Sequence, residues 1–80
     1  MSRLPQVSGR EVIHLLHSLG YETIRQRGSH VRLRKVDPQG EHNLTVPDHK
    51  ELAKGTLHDI LASVSLWNNI PIEELIERLR

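Results

Sequence analysis

Arg27-Gly28-Ser29-His30-Val31-Arg32-Leu33-Arg34-Lys35-Val36-Asp37-Pro38-Gln39-Gly40 is the stretch that decides the fold. Residues 30–36 alternate, with Val31 and Leu33 pointing one way and His30, Arg32 and Arg34 the other, which is the period of a half-buried strand. Both ends carry reversal signals. Arg27-Gly28-Ser29 reads as a tight turn, and Asp37-Pro38-Gln39-Gly40 has proline at the second position of a β-turn. A strand enclosed by two turns needs neighbours on both sides. Residues 21–26 supply one, and residues 41–46 supply the other, with His42, Leu44 and Val46 on a common face. The centre of the chain is therefore an antiparallel meander.

Helices are expected on either side. Residues 1–7 read as a loose arm. Ser8 and Glu11 have the spacing of a capping box, and Val12, Leu15, Leu16 and Leu19 recur at helical intervals. Gly20 stands where a left-handed C-terminal residue is wanted. Beyond the meander, Pro47-Asp48-His49 breaks the pattern, and residues 50–54 read as a loop or a single helical turn. Thr56 is expected to cap a second helix bearing Leu57, Ile60, Leu61 and Val64, with Asp59 at its third position. Residues 65–70, including Trp67, read as a link. Pro71 then opens a last helix carrying Ile72, Leu75, Ile76 and Leu79. The expected fold class is α+β: one domain over residues 1–80, ordered α-β-β-β-α with a terminal helix, the helices on one sheet face and the other face wet. Double-stranded-RNA-binding domains share this plan, but a plan does not assign a function.

Eleven basic and ten acidic side chains leave a net charge of +1, so the distribution matters more than the sum. Between Tyr21 and Val36 stand Arg25, Arg27, Arg32, Arg34 and Lys35 against Glu22 alone, which suggests a local anion-binding surface. A solvated arginine-rich strand pair has the same composition. No cysteine is present, which excludes disulfides and thiolate metal sites. No apolar run approaches transmembrane length, and a cytoplasmic location is expected. Tyr21 and Trp67 are the only aromatics, too few for a base-stacking platform.

The alternation also groups the chemistry. With Val31 and Leu33 in the core, His30 shares the open face with Arg32 and Arg34. Guanidinium groups fork onto phosphate oxygens, and imidazole exchanges a proton near neutral pH, so together they suit cleavage of a phosphodiester. Gly28 and Ser29 lead into His30, and a phosphate can approach turn amides there. A second candidate anion site is Lys54-Gly55-Thr56, where free helix amides meet the charge of Lys50 and Lys54, although taken singly these residues read first as a plain N-cap with two surface lysines. The six histidines match no zinc spacing, although His30, His42 and His49 stand where they can approach one another; neither a metal nor a cofactor is expected.

Several blocks then form a recognisable set: Val7-Ser8-Gly9-Arg10-Glu11, Leu19-Gly20-Tyr21, Arg25-Gln26-Arg27-Gly28-Ser29-His30-Val31, Val46-Pro47-Asp48-His49-Lys50-Glu51-Leu52 and Lys54-Gly55-Thr56-Leu57. The combination resembles the HicA toxin family over residues 3–64. That resemblance implies a double-stranded-RNA-binding-like fold, a translation-blocking endoribonuclease that cleaves mRNA, and a HicB-type antitoxin as partner. It implies His30 as the catalytic residue, with His49 at a second, auxiliary histidine position. Arg25, Arg27, Gly28, Ser29, Arg32, Arg34, Lys50, Lys54 and Thr56 are the expected RNA contacts. The rival reading is a non-catalytic module that recognises A-form RNA through its basic surface. A third is an adaptor whose apolar last helix binds a protein. The chain departs from the family at residues 63–70, longer than the usual link, and at His58, where a basic residue is common.

Overall fold

A computed structural model describes residues 4–80. The element order is α1 (Gly9–Ser18), β1 (Glu22–Arg27), β2 (His30–Asp37), β3 (Gly40–Pro47), α2 (Lys54–Asn68) and α3 (Ile72–Arg78). The strands form one antiparallel sheet in the order β1-β2-β3. The chain is thus α+β, with its helices on one sheet face, as the alternation required. Val31, Leu33 and Val46 point from the sheet into a core completed by α1, α2 and α3, in which Leu16, Leu33, Leu57, Leu61 and Leu75 are fully buried. Burial of a leucine at such a site stabilises by about 1.5–3 kcal/mol, so the face that β2 turns inward is strongly specified.

Both ends of α1 follow from local chemistry. The Ser8 hydroxyl accepts from the Glu11 amide at 3.1 Å, and the Glu11 carboxylate accepts from the Ser8 amide at 3.0 Å, which completes the capping box. At the other end the amides of Gly20 and Tyr21 donate to the carbonyls of His17 and Leu16, closing a Schellman motif with Gly20 at φ +100°.

Four expectations need correction. Residues 1–3 of the expected loose arm lie outside the described residues. Residues 4–7 are not loose, because Val7 is buried, its carbonyl accepts from the Leu52 amide, and Leu4 packs against the core. Thr56 does not cap the second helix. Burial of Leu52 pins the chain, Ala53 is the N-cap without a side-chain bond, and Thr56 falls in the first turn. Residues 65–70 are mostly not a link either. The helix α2 runs through Trp67 to Asn68 and stops where Asn69 adopts the left-handed conformation (φ 55°), which asparagine tolerates. Finally, His42 lies on the core face of β3, whereas His30 is on the open face, so these histidines do not converge.

His42 instead belongs to a polar cluster that holds the end of α2 against the sheet. Asn68 donates to the Tyr21 hydroxyl at 3.0 Å, which leaves the Tyr21 proton to bond His42 Nδ1 at 2.6 Å. His42 Nε2 then donates to the Ser63 hydroxyl at 2.9 Å. The Lys35 ammonium donates to the Asn68 carbonyl oxygen, and the Trp67 ring stacks on His42 with centroids 5.1 Å apart. This directional chain requires a neutral imidazole with its proton on Nε2. Burial, and secondarily the Lys35 charge, hold His42 below its ordinary value of 6.5.

At Gly9 the start of α1 presses on the segment leaving β3. A methyl group built at Gly9 would lie 1.9 Å from the Pro47 carbonyl oxygen, and the Gly9 amide donates to the His49 carbonyl at 2.8 Å. Gly55, by contrast, faces open space inside a helix. Gly9→Ala is therefore expected to destabilise the fold by at least about 2 kcal/mol through overpacking. Gly55→Ala is expected to stabilise it by about 0.5–1 kcal/mol through reduced chain entropy. Thermal melts followed by circular dichroism check the two opposite signs.

The depressed His42 pKa predicts a pH dependence of stability. Between pH 6.5 and the lower folded-state value, the unfolded chain takes up a proton that the folded chain refuses. The His42 contribution is thus complete above about pH 6.5 and is lost as the pH falls through the folded value. Urea midpoints measured from pH 7.5 down to 5 should fall more steeply for the natural chain than for His42→Gln.

Candidate functional site

The first turn sets up the site. Arg27 pairs with His30 across a two-residue connection, Gly28-Ser29, in which only the first position has positive φ (55°), the sign pattern of a type II′ hairpin. Beyond it, His30 pairs with Pro47, and the Asp48 amide donates to the Ser29 carbonyl at 2.6 Å, so the ladder continues past His30 into the turn. His30 is thereby held from both sides while its side chain stays exposed.

The arginines reach the same place by a route that simple alternation misses. Counted strictly from buried Tyr21, Thr23, Arg25 and Arg27 would all face the core. The register instead steps from Thr23↔Leu33 to Arg25↔Arg32, and Ile24 is the extra residue of a β-bulge. Past the bulge, Gln26 lies opposite Val31, while Arg25 and Arg27 lie opposite Arg32 and His30 on the open face. The result is a shallow concavity of about 130 Å³ lined by Arg25, Arg27, His30, Arg32 and Thr45. Three guanidinium groups and one imidazole thus surround a space that no carboxylate lines.

The remaining expected contacts are dispersed. Arg34 sits farther along the same face with Glu41 at 3.9 Å and Glu22 as its cross-strand partner, so its charge is partly answered. Gly28 and Ser29 border the site through the turn. His49 and Lys50 line a separate hollow with Ser8, Arg10 and Asp48, next to the Arg10–Asp48 ion pair at 3.6 Å. Lys54, Gly55 and Thr56 form the first turn of α2, where the Lys54 ammonium donates to the Leu4 carbonyl at 2.8 Å. The structure therefore joins Arg25, Arg27 and Arg32 to His30 and leaves Lys50, Lys54, Thr56 and His49 outside that concavity. Thr45 was not anticipated. Its signal was its position between Leu44 and Val46, which alternation assigns to the open face. Among the described residues, no group of three or more His, Cys, Asp or Glu side chains is placed to hold a metal ion.

Such a surface suits a phosphodiester. Arginines can neutralise and orient the phosphate oxygens, and an exposed imidazole beside them can exchange a proton with a ribose or leaving oxygen. No described helix is long and apolar enough to cross a membrane. Comparison with known proteins gives one match. Residues 9–66 fit the family described as HicA toxin of bacterial toxin-antitoxin, a span that takes in the whole sheet and most of α2. No curated protein and no solved structure matches the chain.

Proposed function

This chain belongs to the HicA toxin family, the toxins of bacterial toxin–antitoxin pairs, and on that premise we propose that it is an endoribonuclease that cleaves mRNA with His30 as its catalytic residue. The observation that carries the reading is the concavity in which His30 stands among Arg25, Arg27 and Arg32. His30 removes the proton of a ribose 2′-hydroxyl, the freed oxygen attacks the adjacent phosphorus, and the 5′-oxygen of the next nucleotide leaves. The arginines stabilise the charge that builds on the phosphate oxygens. Expulsion of the 5′-oxygen needs a proton from a second donor. Solvent has open access to the exposed site and can supply it, whereas His49, which the resemblance marks as auxiliary, lines a separate hollow. The chemistry as written uses no metal or cofactor and requires a 2′-hydroxyl, so DNA is spared. The expected partner is a HicB-type antitoxin that covers the basic face.

His30→Ala should lower the cleavage rate of a long transcript by about 10²- to 10⁴-fold in EDTA, and expression of the natural chain, unlike the variant, should arrest growth. Products should end in a 2′,3′-cyclic phosphate and a 5′-hydroxyl; products with 5′-phosphates would contradict attack by the ribose oxygen. RNA binding by both proteins with cleavage by neither would establish a non-catalytic module instead. Arg32→Ala should reduce the slope of log affinity against log salt by about 0.7–1, as expected for one lost phosphate contact.

A further inference from the structure

Thr45 is the neutral hydroxyl in a concavity otherwise lined by Arg25, Arg27, Arg32 and His30. We propose that Thr45 recognises the 2′-hydroxyl of the ribose next to the one that His30 deprotonates, and so contributes to the choice of RNA over DNA. The proposal rests on the RNA-cleaving reading of the site and adds a specificity residue to it.

The placement comes from the register. Arg25 pairs with Arg32 and Arg32 with Thr45, so these three side chains form one row across the open face. Arg27, His30 and Pro47 form the next row. Thr45 is therefore diagonal to His30, and diagonal neighbours on one sheet face stand about 7–8 Å apart. Arg32 adjoins both, two residues from His30 along β2 and directly across from Thr45, so one phosphate held by Arg32 fits between them with a ribose on either side.

The chemistry of the row sets the role. Guanidinium groups only donate hydrogen bonds, so they can hold phosphate oxygens but cannot accept the proton of a hydroxyl. The His30 acceptor is engaged in the cleavage itself. A threonine hydroxyl both donates and accepts, as a ribose 2′-hydroxyl does. Within the protein the Thr45 hydroxyl has no hydrogen-bond partner among the described residues, and its side chain is exposed. Its neighbour on the same face, Asn43, differs in this respect, since its amide donates to Glu41 at 2.9 Å.

Threonine also suits a strand simply because it is β-branched. Valine has the same shape and the same strand preference without the hydroxyl, so Thr45→Val separates the two roles with little risk to folding. Both arms use the non-cleaving His30→Ala background. Fluorescence anisotropy would follow a 12-nucleotide single-stranded RNA of mixed sequence and the 2′-deoxy oligonucleotide of the same sequence with deoxyuridine. Thr45→Val should weaken RNA binding by about 3- to 10-fold, as for one lost hydrogen bond, leave DNA binding unchanged, and be rescued by Thr45→Ser. An equal loss on both oligonucleotides, no loss on either, or a His30→Ala chain that binds RNA no better than DNA would overturn the role of Thr45 while leaving the nuclease reading intact. A His30→Ala chain that binds neither oligonucleotide would overturn both.

Discussion

Burial of Val31 and Leu33 is the constraint from which the rest follows. Once both side chains are committed to the core, the pleat gives His30, Arg32 and Arg34 no alternative to the open face, because a slip of one residue would put guanidinium groups in the interior and leucine in water. The core thus works as a positioning device. Leu33, fully buried, sets the direction of the charged residues on either side of it. The ladder to β3 and the Asp48–Ser29 bond then extend that order into the turn before His30.

What the pattern made legible was whatever depends on periodicity and local caps. The strand around Val31 and Leu33, the capping box at Ser8, the closure at Gly20 and the inward face of α3 follow from side chains a few residues apart. What it hid depends on contacts between distant segments. The Ile24 bulge leaves no local mark, yet it re-phases β1 and brings Arg25 and Arg27 to His30. Thr56 has good capping chemistry, but Leu52 is anchored in the core and its amide is bonded to Val7, so the helix begins two residues before Thr56. Asn68 and Asn69 look like link residues until Tyr21, Lys35 and Val64 are seen to bond the Asn68 side chain. Of the expected site, the part on β2 and its turn was readable from alternation. Lys50, Lys54 and His49 stood near it in sequence while the fold assigns them to other surfaces.

The two faces of the sheet divide the polar chemistry. On the helix side, Tyr21, His42, Trp67 and Asn68 bond and stack with one another, so both aromatics are occupied in holding α2 to β3. Residues 63–68 have their physical content here, since the last turns of α2 supply Ser63, Trp67 and Asn68 to that cluster. On the open side no aromatic lines the concavity. A nucleic acid there meets guanidinium, imidazole and hydroxyl groups, which address phosphate and sugar rather than base planes. Recognition built this way depends weakly on base identity and strongly on backbone chemistry.

In the proposed reaction, that bias bears on how one histidine would suffice. Proton transfer by a single side chain typically contributes about 10²- to 10⁴-fold, and the remainder of a nuclease's acceleration must come from electrostatics and orientation. Arg25, Arg27 and Arg32 can supply both, because they converge on one small concavity and are directed there by the backbone rather than by bonds to acidic neighbours. Arg34 marks the contrast. Glu41 and Glu22 beside it reduce the field at the far end of the sheet, so the positive potential is concentrated at the hairpin end. A phosphate drawn to that end arrives beside His30. The bulge that turns Arg25 and Arg27 outward therefore governs where the charge is gathered, and with it which bond the imidazole can reach.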